Sequence, residues 1–461
     1  MSRSPMNPSQ IKDPRQRALH VLNRINSTGK TLDIIMEDAD ETCPMEIRDR
    51  AFLNALVYGT LRWRSRLDAI IRQFSNTPLE KIDPRALNVL RLGVFQTHHM
   101  DGVPVSAAVN TSVELVKSFS KAAWVANFVN AVLRNAHRKR DQIQFPDIKT
   151  NPAGALAVRK SFPKWLIKRW LKRFGLEETQ ALCDAINGIP PLVIRANRLM
   201  ADRNQLTSAL KSKNIDVTKT PFSPEGMRIN GSAPGLFTSK PFQEGWFQAQ
   251  DEAAQLVAHM LGLAPGDTTL DACAGLGGKT GHMAQLMKND GSVLAMDHNE
   301  KKLEKLTHEM TRLGAVGVSA AVGDISKKLD GCSETFDKIM LDAPCSGLGV
   351  LRRNPDAKWT MTRERLNICA TRQSLFLDNI AHCVTPAGSL VYAVCSMEPE
   401  ENEAVAEKFL ERHPEFSLDK TVSGFPESAR HLIQPSGFFK SYPHLHDMDG
   451  FFAACFKKTG P

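Results

Sequence analysis

No stretch of the 461-residue sequence approaches the roughly 18 consecutive apolar residues that a membrane-spanning helix needs, so no membrane domain is expected. Residues 1–16 contain no apolar segment of the kind that makes a secretory signal. None of the nine cysteines stands in a CxxC pair. That removes the usual nuclei of zinc ribbons and redox motifs, and no metal is expected. An odd number of cysteines without such spacing predicts free thiols in a reduced, cytoplasmic protein. Internal repeats and low-complexity tracts are also missing. A 42% hydrophobic and 24% charged composition excludes wholly disordered, collagen-like and fibrous chains. The length predicts about three domains.

Charge is present in excess and unevenly. Residues 1–250 carry 37 basic and 22 acidic side chains, a balance of +15, whereas residues 251–461 carry −6. The front half is suited to a polyanion, nucleic acid or an anionic surface, and the back half is not. The chain reads as three segments. Residues 12–140 are all-helical in pattern: Val105, Ala108, Val109, Ser112, Val113 and Val116 share one helical face behind Pro104. Asp83 and Pro84 precede a second helix, Ala86 to Thr97. The segment ends in the basic run Arg134, His137, Arg138, Lys139 and Arg140, which suits phosphate contact or a solvated helix end equally. Residues 141–250 form an α+β connector. It has a basic helix from Pro163 to Arg173, suited to a membrane surface, RNA or packing, a strand from Leu192 to Asn197, and a helix from Asn204 to Lys211. Residues 251–461 alternate apolar runs (268–272, 292–297, 338–342, 389–394) with helices, which predicts an α/β Rossmann-like domain on a parallel sheet covered on both faces.

In such sheets ligands bind at the C-terminal ends of the strands. The first run opens into Asp271-Ala-Cys-Ala-Gly-Leu-Gly-Gly-Lys-Thr280 and then a helix. A P-loop would need glycine where Cys273 stands, and a dinucleotide fingerprint would need it where Thr280 stands, so ATP and NAD are disfavoured. A nucleotide-like ligand or a purely structural turn remains. Asp297 closes the second run, 26 residues after Asp271, where a carboxylate can accept from ribose hydroxyls or cap the next helix. Asp324 suits an adenine amino group or an ordinary turn. The third run ends in Asp342-Ala-Pro-Cys345, and the fourth in Val394-Cys395-Ser396, followed by Glu398-Pro-Glu-Glu-Asn402. Buried inert thiol is the usual fate of cysteine, and it suits Cys43, Cys183, Cys332, Cys369, Cys383 and Cys455. Cys345 and Cys395 fall instead at the catalytic edge. Two thiols beside a nucleoside-type site suit one reaction well. A thiolate added at carbon 6 of a pyrimidine makes carbon 5 nucleophilic toward an electrophilic methyl group. A nearby cation such as Lys279 would favour the thiolate.

Residues 271–280 (DACAGLGGKT), 342–347 (DAPCSG) and 392–402 (YAVCSMEPEEN) resemble the motif set of the Nop/Sun RNA cytosine-C5 methyltransferases. Leu351–Trp359 resembles the basic stretch after the family's Asp-Ala-Pro-Cys motif, and Asp449–Cys455 its last strand. Residues 15–135 are similar to the NusB-like RNA-binding domain, through Ala55–Arg62, Arg91–Gln96 and Phe128–Arg134. This fusion resembles the bacterial RsmB (Sun/Fmu) type, which methylates a cytosine in 16S ribosomal RNA. The resemblance implies S-adenosyl-L-methionine as donor, small-subunit ribosomal RNA as partner, and a monomer. It implies that Cys273, Ala274, Gly275, Leu276, Gly277, Gly278 and Lys279 line the donor site. Asp297 would hold the ribose, Asp324 the adenine side, and Asp342 would lie near donor and target base. Cys395 resembles the nucleophile and Cys345 the cysteine for product release. DNA cytosine methyltransferases place their nucleophile after Pro-Cys, which would nominate Cys345 instead. The chain departs from many relatives at Gly275–Gly278, where they read Ala-Pro-Gly-Gly, and at Val394, where they carry threonine.

Overall fold

The computed structural model describes residues 11–460 except 330, 333 and 334. Its chain forms two compact units: residues up to Gly188 with Leu351–Thr360, and Ile189–Val350 with the chain from Met361 onward.

The first unit is helical. Its core comes from Pro14–Thr28, Ile47–Arg62, Arg64–Phe74, Pro84–His99, Val105–Phe119 and Ala123–Arg138. The apolar face expected from Val105 onward is buried at Ala108, Val109, Ser112 and Val116. Asp83 caps its helix, with its carboxylate accepting from the Arg85 backbone N–H at 2.8 Å. The guanidinium of Arg91 donates through two nitrogens to Asp68, at 2.7 and 2.9 Å, a forked pair that locks two helices. The basic helix runs over Lys164–Asn187 and breaks at Gly175, whose φ of 78° and ψ of −175° only glycine adopts freely. Trp170 is fully buried, edge-on to Phe162 at 5.4 Å between ring centres. Packing therefore accounts for this part of the helix, rather than a membrane surface.

The stretch Leu351–Thr360 also belongs to this unit. Lys358 is buried, donates to Asn187 Oδ1 at 2.7 Å, and stands 3.7 Å from the centre of the Phe162 ring. Burial pushes its pKa well below the ordinary lysine value. Trp359 Nε1 donates to the Leu61 carbonyl at 2.7 Å, and Asp356 accepts from the Leu32 N–H at 3.1 Å. At Lys358 the basic stretch is thus a packing element.

The second unit holds two sheets. Strands β1 (Leu192–Ala196), β2 (Val217–Lys219), β3 (Gly226–Ile229) and β4 (Phe247–Ala249) form an antiparallel sheet in the order β2-β3-β1-β4. The larger sheet comprises β5 (Thr268–Asp271), β6 (Ser292–Asp297), β7 (Val318–Val322), β8 (Phe336–Asp342), β9 (Val384–Val394), β10 (Phe416–Leu418), β11 (Phe439–Lys440) and β12 (Phe452–Lys458). Its order is β10-β12-β9-β8-β5-β6-β7, with β11 beside β12. Both faces are covered. Leu390, Tyr392 and Val394 of β9 pack in one apolar cluster with Phe376 and Phe409, while Val391 and Ala393 pack in another with Val257 and Met340.

Two expectations are corrected. The sheet is mixed: β5 to β9 are parallel, but β10, β11 and β12 pair antiparallel. The helix Glu403–Arg412 leads into β10 at the sheet edge, and the chain then turns back through β11 so that β12 fills the gap beside β9 from the opposite end. The cysteines are not all free, because Cys332 and Cys383 form a disulfide. Cys332 precedes β8 and Cys383 precedes β9, and the pairing of Phe336 with Val384 sets those strand entries side by side. Seven cysteines, Cys345 and Cys395 among them, are free.

Candidate active site

The chain order around β5 explains where the site forms. After β5 the chain moves outward through β6 and β7, then returns to the other side of β5 as β8. The loop leaving β5 therefore sits at the point where strand order reverses, the favoured ligand crevice of an open α/β sheet.

That loop is Ala272–Gly277, and the helix Gly278–Leu286 follows it. Gly275 and Gly277 have φ of +55° and +84°, which a side chain would strain. Nothing lies within 4 Å of where a Cβ on Gly275 would stand, so its backbone is open to a ligand. Ala274 is buried and Leu276 exposed. The Gly275 N–H donates to Asp297 Oδ2 at 3.0 Å, and the Asn299 N–H donates to Asp297 Oδ1 at 2.9 Å. Asp297 thus ties the β6 end to the glycine loop; its Oδ1 also has His298 Nδ1 at 3.3 Å, while Oδ2 keeps a second lone pair for a ligand. Burial raises the Cys273 thiol, with Asp271, Asp342 and Asp297 adding to the shift, so this cysteine stays protonated. Asp324 lies apart from this cluster of contacts. It is exposed and accepts from the Ser326 N–H at 2.9 Å, as a turn aspartate does.

Lys279 donates to Asp342 Oδ2 at 2.5 Å, joining the glycine loop to the end of β8. Burial opposes the ammonium charge, but Asp342 outweighs it and raises the lysine pKa.

Behind them, Thr280 Oγ1 donates to Asp271 Oδ2 at 2.7 Å. Burial raises the Asp271 pKa to about 6. Its protonated form contributes stability below the unfolded value of about 4, and this is lost as pH rises through about 6. Asp271→Asn, which stays neutral, is expected to match the parent below about pH 4. Above pH 6 it should be the more stable by up to roughly 3 kcal/mol, two pKa units at about 1.4 kcal/mol each. Thermal melts from pH 4 to 8 read this difference, and a pH-independent gap would refute it.

Cys345 and Cys395 meet because β8 and β9 are neighbouring parallel strands with Asp342 opposite Ala393. Their sulfurs are 3.2 Å apart. The hydrogen bond to Cys395, and then burial, raise the Cys345 pKa well above the ordinary thiol value. Beside the thiols lies a polar network that the sequence did not disclose, although Ser346, Tyr392, Ser396 and Glu401 fall in the Cys345 and Cys395 motifs; Gln373 joins them from the helix Arg363–Ile380. Glu401, fully buried, accepts from the Ser346 N–H at 2.8 Å, the Ser346 hydroxyl at 2.5 Å and Gln373 Nε2 at 3.0 Å. The hydroxyls of Ser346 and Ser396 are 3.3 Å apart. Tyr392 OH donates to the Glu401 carbonyl at 2.6 Å, with Gln373 Oε1 as a second acceptor in reach at 3.0 Å. The Gly349 N–H donates to the Cys395 carbonyl at 2.9 Å, and a Cβ on Gly349 would stand 1.8 Å from the Gly450 carbonyl oxygen. Glycine is required there by this close approach.

Arg134, Arg138, Lys139 and Arg140, in the helical unit, are exposed. Arg134 and Arg138 donate to asparagine side chains, at 2.9 and 2.7 Å, neutral partners that do not cancel their charge.

Three family signatures match the chain: NusB family over residues 12–138, an RsmF/B-like ferredoxin-like domain over 162–234, and 16S rRNA methyltransferase RsmB/F over 258–457. Among curated relatives, a probable ribosomal RNA small subunit methyltransferase B of Synechocystis sp. is 35% identical over 96% of this chain and 99% of its own. The ribosomal RNA small subunit methyltransferase B of Pseudomonas syringae pv. tomato is 36% identical over 80% of each chain. Among solved structures, that of PH0851 aligns with a TM-score of 0.78 and 26% identity, covering 99% of this chain and 100% of that one. NSun6 from Pyrococcus horikoshii shares the fold at a TM-score of 0.55 and 23% identity, over 66% of this chain and 100% of its own.

Proposed function

The chain belongs to the family of ribosomal RNA small subunit methyltransferase B, and on that premise we propose that it methylates C5 of a cytosine in 16S ribosomal RNA through a covalent cysteine–cytosine intermediate. The donor is S-adenosylmethionine, which supplies an electrophilic methyl group on a sulfonium when bound. The residues fit such a donor: the Gly275 backbone is open, and Asp297 retains acceptor capacity beside it. Asp324 is the exposed carboxylate for the adenine side. The three-part division at residues 140 and 250 is part of the same reading, with the NusB-like part as an RNA grip.

The thiol pair, 3.2 Å apart at the ends of two neighbouring strands, is the observation that carries this reading. Cys395 attacks carbon 6 of the cytosine, which raises electron density at carbon 5. Carbon 5 then takes the methyl group. Loss of its proton to a base restores the ring and expels the Cys395 sulfur. The assignment of Cys395 as the attacker rests on the resemblance of residues 392–402 to the family's nucleophile motif. Its neighbour Cys345 shares a hydrogen bond with it at 3.2 Å. Lys279 is fixed by Asp342 at the end of the neighbouring strand.

The test uses purified protein, labelled S-adenosylmethionine and unmethylated 16S RNA, with the RNA digested to nucleosides. Labelled 5-methylcytidine is the expected product, formed less well as salt rises because exposed arginines and lysines make the RNA contacts. Label on transfer RNA alone would overturn the substrate. Donor binding without any labelled RNA would overturn the reaction.

A further inference from the structure

A second cluster of chemically competent side chains lies outside the thiol site, within the same unit. It consists of Glu225 beside β3, His259 at the end of the helix Glu252–His259, and His282 in the helix Gly278–Leu286. His259 Nε2 is 3.0 Å from Glu225 Oε2, and His282 Nε2 is 3.8 Å from the same oxygen. The side chains of Glu225 and His282 are 0% exposed and that of His259 is 9%. One candidate ligand atom from each residue lies within 4.8 Å of the others.

We propose that Glu225, His259 and His282 form a structural binding site for a divalent transition-metal ion of the zinc class. Two observations support it independently. The first is spacing. Ligand atoms about 2.0–2.2 Å from a tetrahedral zinc ion are separated by roughly 3.4 Å, and the two separations of 3.0 and 3.8 Å bracket that value. The second is an unmet bonding demand. Both ring nitrogens of His282 are buried with no hydrogen-bond partner among the described residues, a costly state for a polar group taken out of water. A metal ion would satisfy the nitrogen that faces Glu225.

The surroundings suit a structural ion. Burial, with Arg195 nearby, lowers the His282 pKa to about 3, so the ring is neutral and keeps a lone pair for a metal. Arg198 Nη1 lies 3.3 Å from Glu225 Oε1, which orients the carboxylate and leaves Oε2 toward the imidazoles. Arg195 opposes a cation by charge, but its guanidinium is committed to the Gly278 carbonyl at 2.7 Å and Gln248 at 3.0 Å. The three ligands come from the small sheet and from two helices packed on the large one, so an ion would cross-link the two sheets of this unit.

The experiment uses full-length, untagged protein stripped with a chelator and titrated with Zn²⁺ by calorimetry and with Co²⁺ by visible absorption. One equivalent is expected, with a cobalt spectrum that lacks thiolate charge transfer and a melting temperature that rises on zinc addition. His282→Gln and Glu225→Gln should each weaken binding at least about ten-fold. If either variant fails to fold, the wild-type stoichiometry and cobalt spectrum still decide. A thiolate charge-transfer band would place the ion on cysteines such as Cys345 and Cys395 and overturn the proposal. Binding below one equivalent, or binding unchanged in the folded variants, would also overturn it.

Discussion

Cys395→Ala is expected to lower methyl transfer by about 10³-fold or more, whereas Cys345→Ala should trap the enzyme on its RNA. The two outcomes differ because the two sulfurs have different tasks in the proposed cycle. Without the Cys395 sulfur no bond forms at carbon 6, carbon 5 stays a poor nucleophile, and the covalent route is closed. Without Cys345 that bond still forms, but the group 3.2 Å from the attacking sulfur is gone when the adduct must break. Denaturing gels of each variant with RNA and S-adenosylmethionine read the difference. Cys345→Ala should give a retarded, nuclease-sensitive band, and Cys395→Ala none. The reverse pattern would assign the attack to Cys345, as in the Pro-Cys arrangement of DNA cytosine methyltransferases. No adduct in either variant, with turnover intact, would remove covalent catalysis altogether.

The parts of the site that the sequence disclosed are those set by local order along the chain. Apolar runs marked β5, β6, β8 and β9, and the residues just after them marked the crevice edge, because strand period and strand-end chemistry are both local. The identity of the reaction came from whole motifs, since a lone glycine-rich turn or a lone thiol has a structural explanation of equal weight. What stayed hidden depends on pairings distant in sequence. Glu225 and His282 are 57 residues apart on different sheets' elements, and neither lies in a metal-ligand spacing. The Cys332–Cys383 bond needed the register of β8 against β9. Leu351–Trp359 showed in the sequence only as a basic stretch after the Asp-Ala-Pro-Cys motif, yet Lys358 is buried among helices that come before it by 160 residues or more. The antiparallel edge was missed because an apolar run marks a strand but not its direction: β12, seven residues long, was legible as the last strand, and its orientation was not.

Glu401→Ala is expected to cost roughly 10²-fold in single-turnover rate while leaving S-adenosylmethionine affinity nearly unchanged. Glu401 touches neither sulfur in the contacts described here, so it is a positioning residue. Its carboxylate holds the backbone and hydroxyl of Ser346, next to Cys345, and that hydroxyl meets Ser396, next to Cys395. Truncation leaves the buried Ser346 N–H without its acceptor, at about 1–3 kcal/mol for such a group, and frees the Ser346 hydroxyl, while Gln373 keeps the Pro344 carbonyl at 3.1 Å. The loops relax to recover those bonds, and a shift of about 1 Å between reacting groups is enough for the stated loss. Burial also raises the Glu401 pKa against the pull of its donors. A neutral side chain of the same shape should therefore be tolerated, and Glu401→Gln should recover most of the rate. A purely structural role predicts something different: both variants would melt earlier, yet the folded fraction would turn over at the parental rate. Single-turnover kinetics, donor binding and thermal melts on the same preparations distinguish the two. An unchanged rate in folded Glu401→Ala would show that the thiol pair is held by the strands alone.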